Sequence, residues 1–215
     1  MAKTVSQTAV VITPPNMQTV AIQIEGTAPL VVNRFGAKAK EAMEQQQGAG
    51  STARGKRKRE PKDFDALYRD SLHVSTEGWL GINASAFRQA AISACRLVGF
   101  KMTYAKLAIF IEADGMESDG TQLVRIEGEP TKFHDFVKNQ SGVADIRPRG
   151  HWVNGWGATV RVRFDADQFT LTDIVNLFDR IGQQVGVGAG RPDSSDSAGQ
   201  GWGLFRIVTA KENAA

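Results

Sequence analysis

Residues 170–209, TLTDIVNLFDRIGQQVGVGAGRPDSSDSAGQGWGLFRIVT, run as helix, glycine-rich loop and strand. Leu171, Ile174, Val175, Phe178, Ile181 and Val185 recur at helical spacing and make one apolar stripe. Thr170 with Asp173 three residues on reads as a capping box in which Asp replaces the usual Glu. The loop sets Gly186, Gly188, Gly190, Gly199, Gly201 and Gly203 around Arg191-Pro192, and Leu204–Val208 leaves it as a strand. Two phosphate motifs are excluded. No Gly-Lys-Ser/Thr and no helix follow the loop, so it is not a P-loop. A dinucleotide fingerprint runs from strand to helix, whereas this stretch runs from helix to strand. What is left is a long surface turn, or a backbone surface that a polyanion or a neighbouring chain can approach closely, because glycine has no Cβ to obstruct it.

Working outward, Ala158–Phe164 alternates cleanly, with Val160, Val162 and Phe164 on one face and Thr159, Arg161 and Arg163 on the other, so it is a half-buried strand. At the other end of the chain Val20, Ile22 and Ile24 alternate with Gln23 and Glu25. Gly26-Thr27-Ala28-Pro29 interrupts the strand, and Leu30–Asn33 resumes it. Residues 36–47 have the composition of a short exposed helix, and 63–73 that of a second. Trp79–Ile82 is a short strand, after which Asn83 or Ser85 caps a helix over 84–96. Its apolar face is Phe87, Ala90, Ala91, Ala94, Cys95 and Val98. Leu107–Ile111 and Leu123–Ile126 are expected to pair as a hairpin, with Asp114-Gly115 and Asp119-Gly120 as turns, and 143–157 reads as irregular.

Three segments together resemble the RAMP superfamily, the ferredoxin-like RNA-binding proteins of CRISPR systems. The C-terminal loop, as hGhGxxRP, a polar gap and GhGhF before a strand, is similar to that family's glycine-rich loop. Residues 79–96, WLGINASAFRQAAISACR, are similar to the strand, small turn, Ser and Arg-bearing helix of the crRNA-binding backbone subunits. Residues 22–33, IQIEGTAPLVVN, are similar to the opening strand. The whole sequence also resembles proteins of tailed phages and prophages. The resemblance implies an α+β fold with a ferredoxin-like (RRM-like) βαββαβ core, a long insertion after the first strand at about 34–76, and the C-terminal glycine-rich loop. The expected layout is a tail over 1–16, one domain over 17–210 and a short tail over 211–215.

Composition is consistent with that layout. The 215 residues are 41% hydrophobic, enough for a core, with one cysteine and a net charge of +3. The single Cys95 excludes an intrachain disulfide and a cysteine zinc site, and reads as a small core residue. No apolar run approaches the ~18–20 residues a membrane helix needs, and the start of the chain lacks a signal pattern. The expectation is a cytoplasmic protein of a bacterial host cell, without membrane, metal or cofactor.

The basic residues are clustered. Arg54, Lys56, Arg57, Lys58 and Arg59 follow a Gly/Ser/Thr-rich hinge within the arm at 48–62, which is a solvated loop, an arm that contacts phosphates, or a nuclear localisation signal that nothing else in the sequence supports. Arg147, Arg149 and His151 lie beside Trp152 and Trp156; the tryptophans either fill the core or stack on bases while arginine meets phosphate. By the resemblance, the phosphate backbone of single-stranded RNA or DNA passes Asn33-Arg34, the arm, Ser85 and Arg88 at the start of the helix, and Gly188, Gly190 and Arg191 in the loop. The expected partners are that strand, further copies of the chain lined up along it, and other phage or CRISPR-type subunits. Catalysis has two candidates. Asp63, near Asp65, matches only the position of an RNA-cleaving aspartate and also suits a helix cap. His151 among arginines is the candidate acid–base of a metal-independent endoribonuclease. A structural phage protein of the same fold is the third reading.

Overall fold

The computed structural model describes residues 12–34, 44, 62–138, 144–194 and 198–208. The chain is α+β, with antiparallel sheets. β1 (Met17–Gly26) keeps the alternation of its sequence: Ile22 and Ile24 are buried, Ala21 and Gln23 exposed. It pairs along its length with β10 (Gly157–Asp165), placing Ile22 opposite Val160 and Ile24 opposite Ala158. β11 (Phe205–Ile207) covers the other side of β1, and β5 (Ile109–Glu112) pairs beyond β10. The resulting order is β11-β1-β10-β5, every neighbour antiparallel.

Two helices join the main core cluster with the apolar face of this sheet. One, α2 (Ala84–Ala94), contributes Phe87, Ala90, Ala91 and Ala94; Asn83 caps it by accepting from the Ser85 amide. Cys95 is fully buried at its end, as a core residue. The other, α4 (Leu171–Arg180), begins with the expected capping box of Thr170 and Asp173 and runs on as a π-helical turn over Ile181–Val185. Its contribution is Ile174, Leu177, Phe178, Ile181 and Val185. Each fully buried side chain of this size contributes about 1.5–3 kcal/mol.

The segments between these elements build two smaller sheets. In one, β2 (Leu30–Val32) pairs with β9 (Ala144–Trp152), which forms a long hairpin with β8 (Thr131–Lys138). In the other, β3 (His73–Val74), β4 (Leu80–Asn83), β7 (Gln122–Arg125) and β6 (Gly115–Met116) lie in the order β3-β4-β7-β6. α1 (Phe64–Ser71) is fastened to the long hairpin: Lys132 meets Asp65 at 2.5 Å, Lys62 meets Asp145, and the Tyr68 hydroxyl donates to Pro130 O at 3.2 Å.

Two expectations are corrected. The segment at 107–111 does not pair with 123–126: helix α3 (Met102–Ala108) runs through Leu107, and β5 then joins β10 instead. Asp114-Gly115 and Asp119-Gly120 serve the β6–β7 hairpin. The stretch 143–157, read as irregular, carries the nine-residue β9. Pro148 is tolerated there because β2 accompanies β9 only over Gly150–Trp152, so the proline lies where the strand has one neighbour. The expected helix at 36–47, apart from residue 44, and the basic arm with Arg54, Lys56, Arg57, Lys58 and Arg59 lie outside the described residues. Among the described residues no helix is long and apolar enough to cross a membrane.

Candidate functional site

The glycine-rich loop is knitted to the first strands. Gly203 N–H donates to Pro29 O at 2.7 Å, Ala189 N–H to Val31 O at 2.8 Å, and Thr27 N–H to Leu204 O at 2.9 Å. The close approach at Gly188 needs glycine: its φ is +79°, and a Cβ there would stand 2.6 Å from Val31 O. Farther on, Asp193 accepts from Arg96 Nη2 at 2.5 Å and from the Ser93 hydroxyl, which fixes the loop to the C-terminal end of α2.

Between the loop, the end of β2 and the start of α2 lies an open cleft of about 300 Å³. Asn33, His73, Asn83, Gln89, Gly188 and Arg191 line it, with Val32, Ile82, Ala86 and Ala189 as its apolar wall. Each of the three segments that carry the family resemblance contributes residues to it. Arg191 Nη1 donates to Gly188 O at 3.1 Å, holding the guanidinium over the loop.

Next to the cleft is a cluster that the sequence does not show. Glu117, with its side chain 2% exposed, accepts from Arg34 Nε at 2.7 Å and from His73 Nδ1 at 2.6 Å. Arg34 N–H also donates to Ser71 O at 2.9 Å, so this arginine locks β2 to α1 and to the β6–β7 turn. Burial pushes the His73 imidazole below its ordinary value; the bond to Glu117 works in the opposite direction and is outweighed. His73, Glu117 and Arg34 come from three distant segments, so no spacing motif marked them.

A second cluster is aromatic. Phe133 stacks on His151, ring centroids 5.2 Å apart, and meets Trp202 edge-on at 5.6 Å. All three rings are partly exposed. Trp202 lies against Gly190, where a Cβ would stand 3.1 Å from the indole Cδ2 and Cζ3 atoms. Neither Phe133 nor Trp202 was singled out in the sequence. A tryptophan inside a glycine-rich loop, with no stripe to bury it, was the available signal.

The other expected residues divide sharply. Trp152 and Trp156 are 1% and 2% exposed, with their indole N–H groups donating to Gly128 O and Ala28 O. They fill the core, and the stacking role expected of Trp152 is withdrawn. Arg149 is buried and pairs with Asp135 at 3.1 Å across the β8–β9 hairpin. Arg147 is exposed, 3.7 Å from Asp145. Arg88 donates from Nε to Ile109 O at 3.0 Å and from Nη2 to Lys106 O at 2.5 Å, and lies over Phe110. It therefore closes the turn between α3 and β5. Ser85 is exposed beside Asn83 at a second, polar hollow that also reaches Thr121 and Gln122.

Asp63 is the N-cap of α1. Its carboxylate accepts from the amides of Ala66 and Asp65, each at 3.0 Å, and these bonds hold it below the usual carboxylate range. That accounts for Asp63 as a cap. His151 Nδ1 lies 3.5 Å from the Thr131 hydroxyl, and among the described residues no carboxylate is bonded to it to orient the ring for proton transfer. Among the described residues no group of three or more His, Cys, Asp or Glu is placed to hold a metal ion.

No protein-family model matches the sequence, and no curated protein matches it. Among solved structures the chain is similar to Csc2 of Thermofilum pendens, a crystal structure, at 10% identity and a TM-score of 0.33, over 90% of this chain and 66% of that one. The chain thus spans 66% of Csc2's length, and a likeness of this size carries no argument about fold or activity.

Proposed function

We propose that this chain is a non-enzymatic, sequence-tolerant binder of single-stranded nucleic acid, built on a ferredoxin-like (RRM-like) core, whose copies line up along the strand. For the core, the support is the path β1–α2–β5 and β10–α4–β11 through a sheet ordered β11-β1-β10-β5, in which each helix links strands separated by one other. For binding, the supporting observation is the cleft: Asn33, the start of α2, Gly188 and Arg191 meet there from three separate segments. Arg191 supplies a cation for phosphate, and the half-exposed rings of Phe133, His151 and Trp202 supply faces on which bases stack without regard to sequence. In this reading the basic arm at 54–59 adds phosphate contacts, and the exposed Arg147 adds another. For assembly, the support is that β5 and β11 are the outer strands of the four-stranded sheet, the positions at which a neighbouring copy could pack.

The test is titration of a labelled single-stranded oligonucleotide by fluorescence anisotropy at several salt concentrations. Affinity falls steeply with salt, because each neutralised phosphate of a single strand contributes about −0.7 to the slope of log K against log salt. Replacing Arg54, Lys56, Arg57, Lys58 and Arg59 together by Ala flattens that slope by up to about 3.5 if each holds one phosphate. Absence of binding at low salt, or binding indifferent to salt, overturns the proposal.

A further inference from the structure

The cleft contains one group that phosphate does not explain. Glu117 is buried and accepts from Arg34 Nε at 2.7 Å on one oxygen, while its other oxygen lies 2.6 Å from His73 Nδ1; a carboxylate paired with a guanidinium acts as an acceptor and calls for a donor there. The His73 nitrogen 2.6 Å away therefore carries its proton on Nδ1. In the neutral ring this leaves Nε2 with a lone pair only, and His73 lines the cleft. Burial favours that neutral form.

A lone pair at this position repels phosphate oxygens, which are themselves acceptors. It calls for a donor on the ligand. Base edges present donors that change with sequence. Along a nucleic-acid strand, the 2′-hydroxyl of RNA is the donor that recurs at every nucleotide, and DNA lacks it.

Resting on the proposed binding role, we infer that the cleft is a ribose-reading site, in which His73 Nε2 accepts a hydrogen bond from a 2′-hydroxyl and thereby selects RNA over DNA. Glu117 is the positioning residue that fixes the tautomer, Arg34 balances its charge, and Arg191 in the same cleft meets the adjoining phosphate.

The experiment compares three labelled strands of one length on the intact chain: oligouridylate, its 2′-fluoro form and its 2′-deoxy form. The 2′-fluoro strand keeps the RNA sugar conformation and removes the donor. Oligouridylate is expected to bind roughly three- to tenfold more tightly than the 2′-fluoro strand, the worth of one hydrogen bond. In His73→Ala, checked for folding by circular dichroism, the ratio between these two strands falls to one. Equal affinity of the wild type for the three strands, or a preference for the 2′-fluoro or deoxy strand, overturns ribose reading and leaves single-strand binding standing. If none of the three strands binds, both the binding role and the ribose site fall. The two chemically modified strands test the wild type directly, so the result does not depend on the variant folding.

Discussion

The sharpest test of the loop architecture replaces two glycines that share a backbone conformation and differ in surroundings. Gly203 has φ +69° and Gly201 has φ +74°. In Gly203→Ala the new Cβ would overlap the Val187 carbonyl oxygen and lie 2.8 Å from Val187 C and 2.9 Å from Val187 N. In Gly201→Ala nothing lies within 4 Å. The left-handed conformation costs an L-residue about 1 kcal/mol at either position. At Gly203 the backbone must also part, which forfeits the Val187 N–H bond to Gly203 O (3.0 Å) and the Gly203 N–H bond to Pro29 O (2.7 Å), each worth about 1 kcal/mol. The expected loss is thus about 3 kcal/mol for Gly203→Ala against about 1 kcal/mol for Gly201→Ala. For a chain of this size, 1 kcal/mol shifts the midpoint by about 2–4 °C, so the two variants should melt roughly 6–12 °C and 2–4 °C below the wild type. Thermal unfolding followed by circular dichroism, with urea midpoints as a check, reads this directly. Equal destabilisation by the two substitutions would refute the claim that backbone contact, and not local conformation alone, holds the loop in place.

Two further outcomes follow from the buried cluster. Glu117→Ala leaves Arg34 without its counter-charge and should cost about 3 kcal/mol by urea unfolding, the low end for a broken buried pair because the Arg34 side chain is 22% exposed; Arg34→Met combined with Glu117→Leu should recover much of it, and a double variant no better than the single one contradicts this. His73 is pushed down by burial, so the native state binds fewer protons than an unfolded chain whose imidazole titrates near about 6.5. Stability should therefore be unaffected by this group above that pH and fall as the pH drops below it, until the native ring also titrates; identical slopes of urea midpoint against pH for the wild type and His73→Gln would contradict the assignment.

What could be read from the sequence was what is local. The capping box at Thr170 and Asp173, the apolar stripe of α4, the alternation of β1 and β10 and the burial of Cys95 all depend on neighbours within one element. The β8–β9 hairpin was hidden because it carries polar residues on both faces. Asp135 and Arg149 are a buried pair across two strands, and neither strand alone reveals that they satisfy one another. The same applies to Trp152 and Trp156, whose indole groups find carbonyls at Gly128 and Ala28. At the candidate site, the glycines and Arg191 announced themselves by composition. Arg34 was reached only through the resemblance, as a phosphate contact, and its pairing with Glu117 and His73 was not legible, since a pairing assembled from three segments leaves no spacing to recognise.

The placement of β1 between β10 and β11 has a consequence for biosynthesis. Glu25 and Arg206, paired across β1 and β11, are 181 residues apart, and the other neighbour of β1 is also supplied by the second half of the chain. β1 therefore leaves the ribosome before either of its partners, and its apolar face of Ile22 and Ile24 waits until β10 and β11 have emerged. Sheets closed by such distant pairings fold slowly, since the entropy of closing the loop is lost before any contact rewards it. During that interval an unpaired apolar strand is the segment most prone to pair wrongly, with another nascent copy or with itself. Yield in the cell should thus respond to translation speed and chaperone supply more than the stability of the finished protein would suggest.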